Sequence, residues 1–293
     1  MHLALVVNPT SGKRRGEAVA ARAADRLVSA GHTTTTIRGA DASSARDRLG
    51  EAVTAGLDGV LVVGGDGALH GVLEHVADSG LVLGLLPAGT GNDTARSLGI
   101  PTHDVDAAID LVVAGHVRTI DLARTEQAYV ATVVASGFDS KVNERANAMT
   151  WPRGNMRYNI AIVQELSAFQ PLEFTLTLDG ETIQREAMLV AVGNGPSFGG
   201  GLRICEGAVM DDGLLDVVVI NPVSKAKLLR VFPQLYKGTH VTLPEFERHR
   251  VRQVTASSPG IVAYGDGERL GPLPMTTTVR PGALRVFAPA PTA

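Results

Sequence analysis

Apolar residues at the start of the chain come in short blocks separated by helix-spaced stretches. Residues 3–7 (LALVV) form one block, fit for a buried strand, and a polar turn at 8–13 leads into a helical pattern over 14–30. Four threonines at 33–36 favour a second strand within 32–38. Residues 41–55 read as a helix with Leu49 and Val53 on one face. The pattern is sharpest at residues 60–69, VLVVGGDGAL. Four apolar residues run straight into Gly64, Gly65, Asp66 and Gly67, and then Leu69, Val72, Leu73 and Val76 fall at helical spacing. A further apolar block at 81–86 leads into Pro87-Ala88-Gly89-Thr90-Gly91-Asn92-Asp93, a short helix over 94–98, and another helix over 104–114. Unalternating apolar strands interleaved with helices predict an open, mostly parallel α/β sheet.

After Gly115 the rhythm changes. Residues 117–122 and 128–135 read as strands, and 140–169 as mostly helical or irregular. Strands then dominate, at 172–178, 188–192, 214–220, 251–256, 261–264, 275–279 and 283–287, with one helix at 225–236. The change predicts two domains, α/β over residues 1–120 and all-β over 121–293, with the boundary near 116–122.

Composition narrows the function classes. The chain has 293 residues and a net charge of −3, which offers no electrostatic case for nucleic acid. Aromatics are sparse, at 4%, so base-stacking platforms are disfavoured too. A single cysteine, Cys205, excludes an internal disulfide and a cysteine-based zinc cluster, and fits a reducing, cytoplasmic setting. No apolar stretch reaches the roughly 18 residues of a membrane span. The first residues lack the basic start of a secretory signal.

The candidate chemistry lies in the turns. Three successive strands each end in a polar or glycine-rich turn: Asn8, Pro9, Thr10, Ser11, Gly12 and Lys13; then Gly64 to Gly67; then Pro87 to Asp93. In an open α/β sheet, ligands sit beyond the carboxyl ends of the strands. Backbone amides in such turns, with a helix N-terminus behind them, suit phosphate. Three of them along one edge point to a nucleotide. None matches a Walker A or a dinucleotide fingerprint, so an ordinary NAD-dependent dehydrogenase is disfavoured. In the second half, Gly265-Asp266-Gly267-Glu268 puts two carboxylates on a glycine turn after an apolar strand.

Taken together, NPTSGK (8–13), GGDG (64–67), PAGTGND (87–93), GFD (137–139), GNGPSFGGG (193–201), DDGLLDV (211–217) and GDGE (265–268) resemble the diacylglycerol kinase catalytic family. That family includes bacterial soluble lipid kinases and is related to sphingosine kinases. The resemblance covers nearly the whole chain. It implies a nucleotide-binding α/β domain, a C-terminal β-sandwich and an active site in the cleft between them. The implied reaction is ATP- and Mg²⁺-dependent phosphoryl transfer to a lipid hydroxyl, with diacylglycerol the expected acceptor and phosphatidate the product. Phosphatidylglycerol, sphingosine and ceramide stay open as acceptors. A nucleotide-binding regulatory homologue with weak turnover, or a soluble-substrate kinase of the NAD kinase type, are the other readings.

By the same resemblance, ATP would be held by Asn8, Pro9, Thr10, Ser11 and Gly12, by Gly64, Gly65, Asp66, Gly67, Ala68, Leu69 and His70, and by Thr36, Thr90, Asn92 and Asp93. Ala68 stands where the family usually has Thr or Ser, so a hydroxyl that could touch phosphate is absent. His70 stands where the family often has Asn. Phosphoryl transfer is mostly positioning and charge neutralisation. Asp66 and Asp93, at neighbouring strand ends, could face the catalytic Mg²⁺ directly or through water. The proton acceptor falls in GDGE, with Glu268 favoured and Asp266 an equal chemical candidate. A structural Mg²⁺ is implied at Asp212, with backbone carbonyls of Val209 and Leu214. The segment NAMTWPRGNMRY (147–158), with Trp151, Arg153 and Arg157, suits an anionic interface, so peripheral membrane association is expected. Self-association as a homodimer stays open.

Overall fold

The computed structural model describes residues 1–7, 15–39, 41–149, 151, 160–161, 164–165 and 170–290. The first half alternates as expected: β1 (His2–Val7), α1 (Arg15–Ser29), β2 (Thr33–Arg38), α2 (Ala42–Thr54), β3 (Gly59–Gly64), α3 (Asp66–Val76), β4 (Val82–Pro87), α4 (Asp93–Ser97) and α5 (Val105–Ala114). The four strands pair in parallel in the order β2-β1-β3-β4. Strands β3 and β4 are buried along their whole length, because helices cover both faces. Helix α3 buries Leu69, Val72, Leu73 and Val76 in this core. Each such burial is worth about 1.5–3 kcal/mol, so the helix that begins at Asp66 is firmly seated.

The second half begins with β5 (Val117–Arg124), β6 (Tyr129–Val130), β7 (Val133–Gly137) and α6 (Phe138–Ala148). It continues through β8 (Leu172–Leu178), β9 (Glu181–Ala187), β10 (Leu189–Gly193), β11 (Leu215–Ile220), α7 (Lys225–Lys237), β12 (Phe246–Val251), β13 (Gln253–Ser257), β14 (Val262–Gly265), β15 (Glu268–Pro272) and β16 (Met275–Phe287). One antiparallel sheet runs β12-β11-β10-β7-β14-β15. It faces β8, β13 and the first part of β16 across an apolar core that includes Phe174, Leu176, Val190, Val192, Val217 and Val219. This is the sandwich. Its other face, with Val133, Ala135, Leu189, Ala191 and Val218, is also covered, so β10 reads as a solid apolar run.

Three strands differ from the expectation. Strands β9, β12 and β15 expose polar residues at sheet edges or hairpin tips, where no apolar run marks them. The expected strands at 275–279 and 283–287 are one bent strand, β16, whose register shifts between Arg280 and Leu284. Gly282, at φ 63°, makes that bend at Pro281-Gly282. Beyond it, Arg285 and Val286 pair in parallel with β4, so β16 joins the parallel strands to β13, β8 and β9 in one continuous sheet.

Candidate active site

The turns after β3 and β4 lie side by side, since Gly64 pairs with Pro87. They pack glycine against glycine: a Cβ on Gly89 would sit 2.6 Å from the Gly65 Cα. That contact brings Asp66, the first residue of α3, against the start of α4. Asp66 Oδ2 accepts the Asp93 amide at 3.0 Å, and Oδ1 accepts the Thr94 amide at 3.1 Å and its hydroxyl at 3.3 Å. Burial holds the Asp66 carboxyl above its usual value despite these two amides, with the Asp93 and Asp266 charges adding to the rise.

Asp93 is buried and ties the first domain to the second. Its Oδ1 accepts Arg96 Nη1 at 2.7 Å and the Ser197 hydroxyl at 3.4 Å, while Oδ2 accepts the Gly200 amide at 2.6 Å. Gly200 can present that amide because its backbone is left-handed, at φ 85°. Asp66 Oδ2 and Asp93 Oδ2 each take one donor among the described residues and keep lone-pair capacity. Both face Gly91, where a Cβ would stand 2.8 Å from the first and 3.5 Å from the second. Two hard oxygens converging beside a glycine fit a divalent cation.

The GDGE turn comes from the second domain. Gly265 pairs with Glu268, so Asp266-Gly267 is a two-residue hairpin loop, and both have positive φ, 51° and 87°. Asp-Gly is the pair that such a turn prefers. Asp266 is buried, and accepts the Ala131 amide at 2.7 Å, the Thr132 amide at 2.8 Å and the Thr132 hydroxyl at 2.6 Å. Those amides are free because the expected strand at 128–135 breaks there, between β6 and β7. Glu268, in contrast, is exposed, and its Oε1 lies 2.9 Å from where a Cβ on Gly67 would be. The hairpin thus rests on the first turn of α3. On its outer side Tyr264 donates to Glu144 of α6 at 2.7 Å, and Arg269 does so at 2.9 Å.

A cavity of about 630 Å³ opens from this meeting point. Asp66, Thr90, Asp93 and Asp266 line its polar end. Its body is apolar, walled by Phe138, Met188 and Leu189 on one side and by Phe232 and Leu235 of α7 on the other.

Two family models match the chain. The diacylglycerol kinase catalytic domain covers residues 2–125, and the YegS C-terminal NAD kinase beta sandwich-like domain covers 132–288. A diacylglycerol kinase of Mycobacterium tuberculosis (strain ATCC 25618 / H37Rv) is 45% identical over 290 residues, 97% of this chain and 94% of that protein. The chain belongs to the diacylglycerol kinase family. A diacylglycerol kinase of Bacillus subtilis (strain 168) is 28% identical over 92% of this chain and 90% of its own length. In fold the chain matches a crystal structure of a diacylglycerol kinase from Bacillus anthracis str. Sterne, with TM-score 0.72, 19% identity, and coverage of 99% of this chain and 97% of that one. An NAD kinase from Archaeoglobus fulgidus in complex with ATP matches with TM-score 0.53, 11% identity, and coverage of 98% and 93%.

Within this family architecture the structure brings together Gly64 to His70, Thr90, Asn92, Asp93, Asp266 and Glu268. Asn8, Pro9, Thr10, Ser11, Gly12 and Lys13 lie outside the described residues. Leu69 turns its side chain into the core, and Ala68 packs partly against it, which leaves only their backbones for a ligand. Asn92 shapes its turn, with φ 54° and Nδ2 donating to the Gly89 carbonyl at 2.9 Å. Thr36 sits in the outer strand β2, in register with Leu5. Asp212 is committed elsewhere: Oδ1 accepts the Leu214 amide at 3.0 Å, and Oδ2 pairs with Arg250. A cation held by Asp212 with the backbone carbonyls of Val209 and Leu214 would share that carboxylate with the Arg250 guanidinium. No group of three or more His, Cys, Asp or Glu residues converges as a metal cluster among the described residues. Sequence reasoning missed Arg96, Thr132 and the α7 wall of the cavity. Arg96 follows Asp93 by one helical turn, a visible signal, but Thr132 carries none.

Proposed function

We propose that this chain transfers the γ-phosphoryl group of ATP to the free hydroxyl of diacylglycerol, giving phosphatidate. The observation that carries the reading is the two-ended cavity: carboxylates at the catalytic turns, then an apolar body built for hydrocarbon. The family is one of lipid kinases, and the ATP complex of the Archaeoglobus fulgidus NAD kinase supports the nucleotide.

In this reading the amides of the Gly64–Gly67 turn, at the N-terminus of α3, cradle phosphate. Asp66 and Asp93 would hold Mg²⁺, which would supply charge neutralisation on the phosphates. Arg96 holds Asp93 in place by bonding its Oδ1 and the Gly91 carbonyl. Glu268, exposed at the tip of the hairpin, takes the proton of the attacking hydroxyl. Asp266, buried and bonded to three donors of the Ala131–Thr132 segment, instead holds the hairpin in shape. The acyl chains lie against the apolar body, which excludes water from the transfer.

The same reading places the protein at a membrane surface. No helix among the described residues is long and apolar enough to cross one. Helix α7 walls the cavity with one face and carries Lys225, Lys227, Arg230 and Lys237 with no acidic residue. Trp151 is 78% exposed; most of the rest of 147–158 lies outside the described residues. Basic and apolar groups together suit an anionic interface.

Labelled ATP and a panel of lipids in mixed micelles test the chemistry. Label on diacylglycerol, lost in Glu268→Gln, is the expected result; label on no lipid at any Mg²⁺ concentration refutes it. Label on another lipid alone would move the substrate, not the reaction. Trp151, the single tryptophan, reports docking: unchanged fluorescence and no co-sedimentation with anionic vesicles would exclude it.

A further inference from the structure

His70 lies one turn beyond Asp66 on α3, and three residues beyond Gly67, so Gly67 and His70 share a helix face. The hairpin that rests on this face presents Asp266 and Glu268. Glu268 meets Gly67; Asp266 meets His70, with Asp266 Oδ2 3.8 Å from His70 Nδ1. The His70 side chain is 17% exposed and that of Asp266 is 0% exposed. His70 Nδ1 has no hydrogen-bond partner among the described residues. Asp266 is itself fixed to Ala131 and Thr132 of the second domain. The two contacts side by side are where the second domain's acid is set over the first domain's phosphate turn.

We propose that His70 is a positioning residue for phosphoryl transfer: by pairing with Asp266 it seats the hairpin so that Glu268 stands over the first turn of α3. The inference deepens the lipid-kinase reading and rests on it for its kinetic readout. The charged groups facing the ring are Asp266 and Glu268 from the hairpin and Arg46 from α2. Strands β3 and β4, which also pack on α3, carry no titratable side chain, and β6 brings Tyr129, whose hydroxyl is turned to Asp78. Burial alone would lower the imidazole; Asp266, with Glu268 behind it, outweighs burial and holds His70 above its ordinary value. A histidine raised in this way keeps its charge to higher pH than a free imidazole and loses it as pH rises through the folded value. Pairing, and the seat it gives Glu268, weakens on the alkaline side.

The test compares full-length wild type, His70→Gln and His70→Ala from pH 6 to 9, with labelled ATP and diacylglycerol micelles. Gln keeps a polar side chain that cannot become a cation. At pH 7 the expected kcat of His70→Ala is about 10-fold below wild type, a fraction of what a 1 Å misplacement can cost, with KM for ATP within about twofold. In both variants the alkaline fall in kcat flattens. Wild-type kcat and pH profile in His70→Gln overturn the proposal. So does a raised KM for ATP at unchanged kcat, which would make His70 a nucleotide contact. NMR titration of the His70 ring in the wild type reads the pairing without turnover. A value above about 6.5 that falls in Asp266→Asn supports it, and a value at or below that overturns it. If wild type phosphorylates no lipid, the lipid-kinase reading fails, while the titration still decides the pairing.

Discussion

Replacing Gly67 with alanine separates stability from catalysis. Gly67 is the second residue of α3 and its φ is not positive, so the backbone accepts alanine. Alanine favours helix over glycine by up to about 1 kcal/mol, so the folded state should hold or gain stability. The added methyl would instead meet Glu268 Oε1 at 2.9 Å. Ordinary van der Waals contact of carbon with a neighbouring heavy atom is about 3.5 Å, so the carboxylate must retreat by roughly half an ångström. The carboxylate is the flexible end of an exposed side chain, so the retreat costs the fold little. It costs the reaction more, because misplacement by about 1 Å can slow a reaction about 100-fold. Half of that shift predicts a fall in kcat of about 10-fold, or about 1.4 kcal/mol of barrier. Steady-state kinetics with labelled ATP, beside a thermal unfolding curve, check both halves. A kcat within about twofold of wild type would refute the placement of Glu268 as the base. A fall in kcat with an unfolding midpoint lowered by more than about 4 °C would show damage to the fold instead.

Three further outcomes follow from the geometry. Leu235→Trp puts a larger ring into the apolar body of the cavity, so KM for the lipid should rise about 10-fold while KM for ATP holds; equal values for both would mean that the lipid lies elsewhere. Asp121 is 4% exposed and accepts the Gly282 amide at 2.8 Å and the Gly213 amide at 2.7 Å; Asp121→Ala leaves both unpaired and should cost about 2–5 kcal/mol in urea unfolding. Glu247 joins β12 to Arg185 of β9 and to His249; the hydrogen bond from Arg185 leads in pulling its carboxyl down to about 2. A depressed carboxylate stabilises above its unfolded value and loses that contribution as pH falls, so a wild-type advantage over Glu247→Gln of no more than about 1 kcal/mol at pH 7 should shrink between pH 4.5 and 2; an advantage that persists below pH 2 would contradict the pairing.

Much of this protein is decided locally, and the chain alone shows it. Strand–helix alternation, the order of the turns, and the Asp-Gly pair at 266–267 are set by residues within a few positions of one another. The apolar runs of β3 and β4 declare buried strands because both faces must be covered, and they predict where the turns fall. The edge strands β9 and β12 escape notice because they expose polar residues, and the bend in β16 hides one strand as two. The roles of the acids are another matter. Asp266 and Glu268 are two residues apart and chemically alike, yet one is buried under amides 134 and 135 positions away and the other is exposed beside Gly67. The different surroundings of these two acids, the convergence of Asp66 and Asp93 at Gly91, the guanidinium on Asp212 and the contact of His70 with Asp266 all depend on which distant groups meet each side chain. Desolvation and hydrogen bonding act through those tertiary contacts, so only the folded chain shows them.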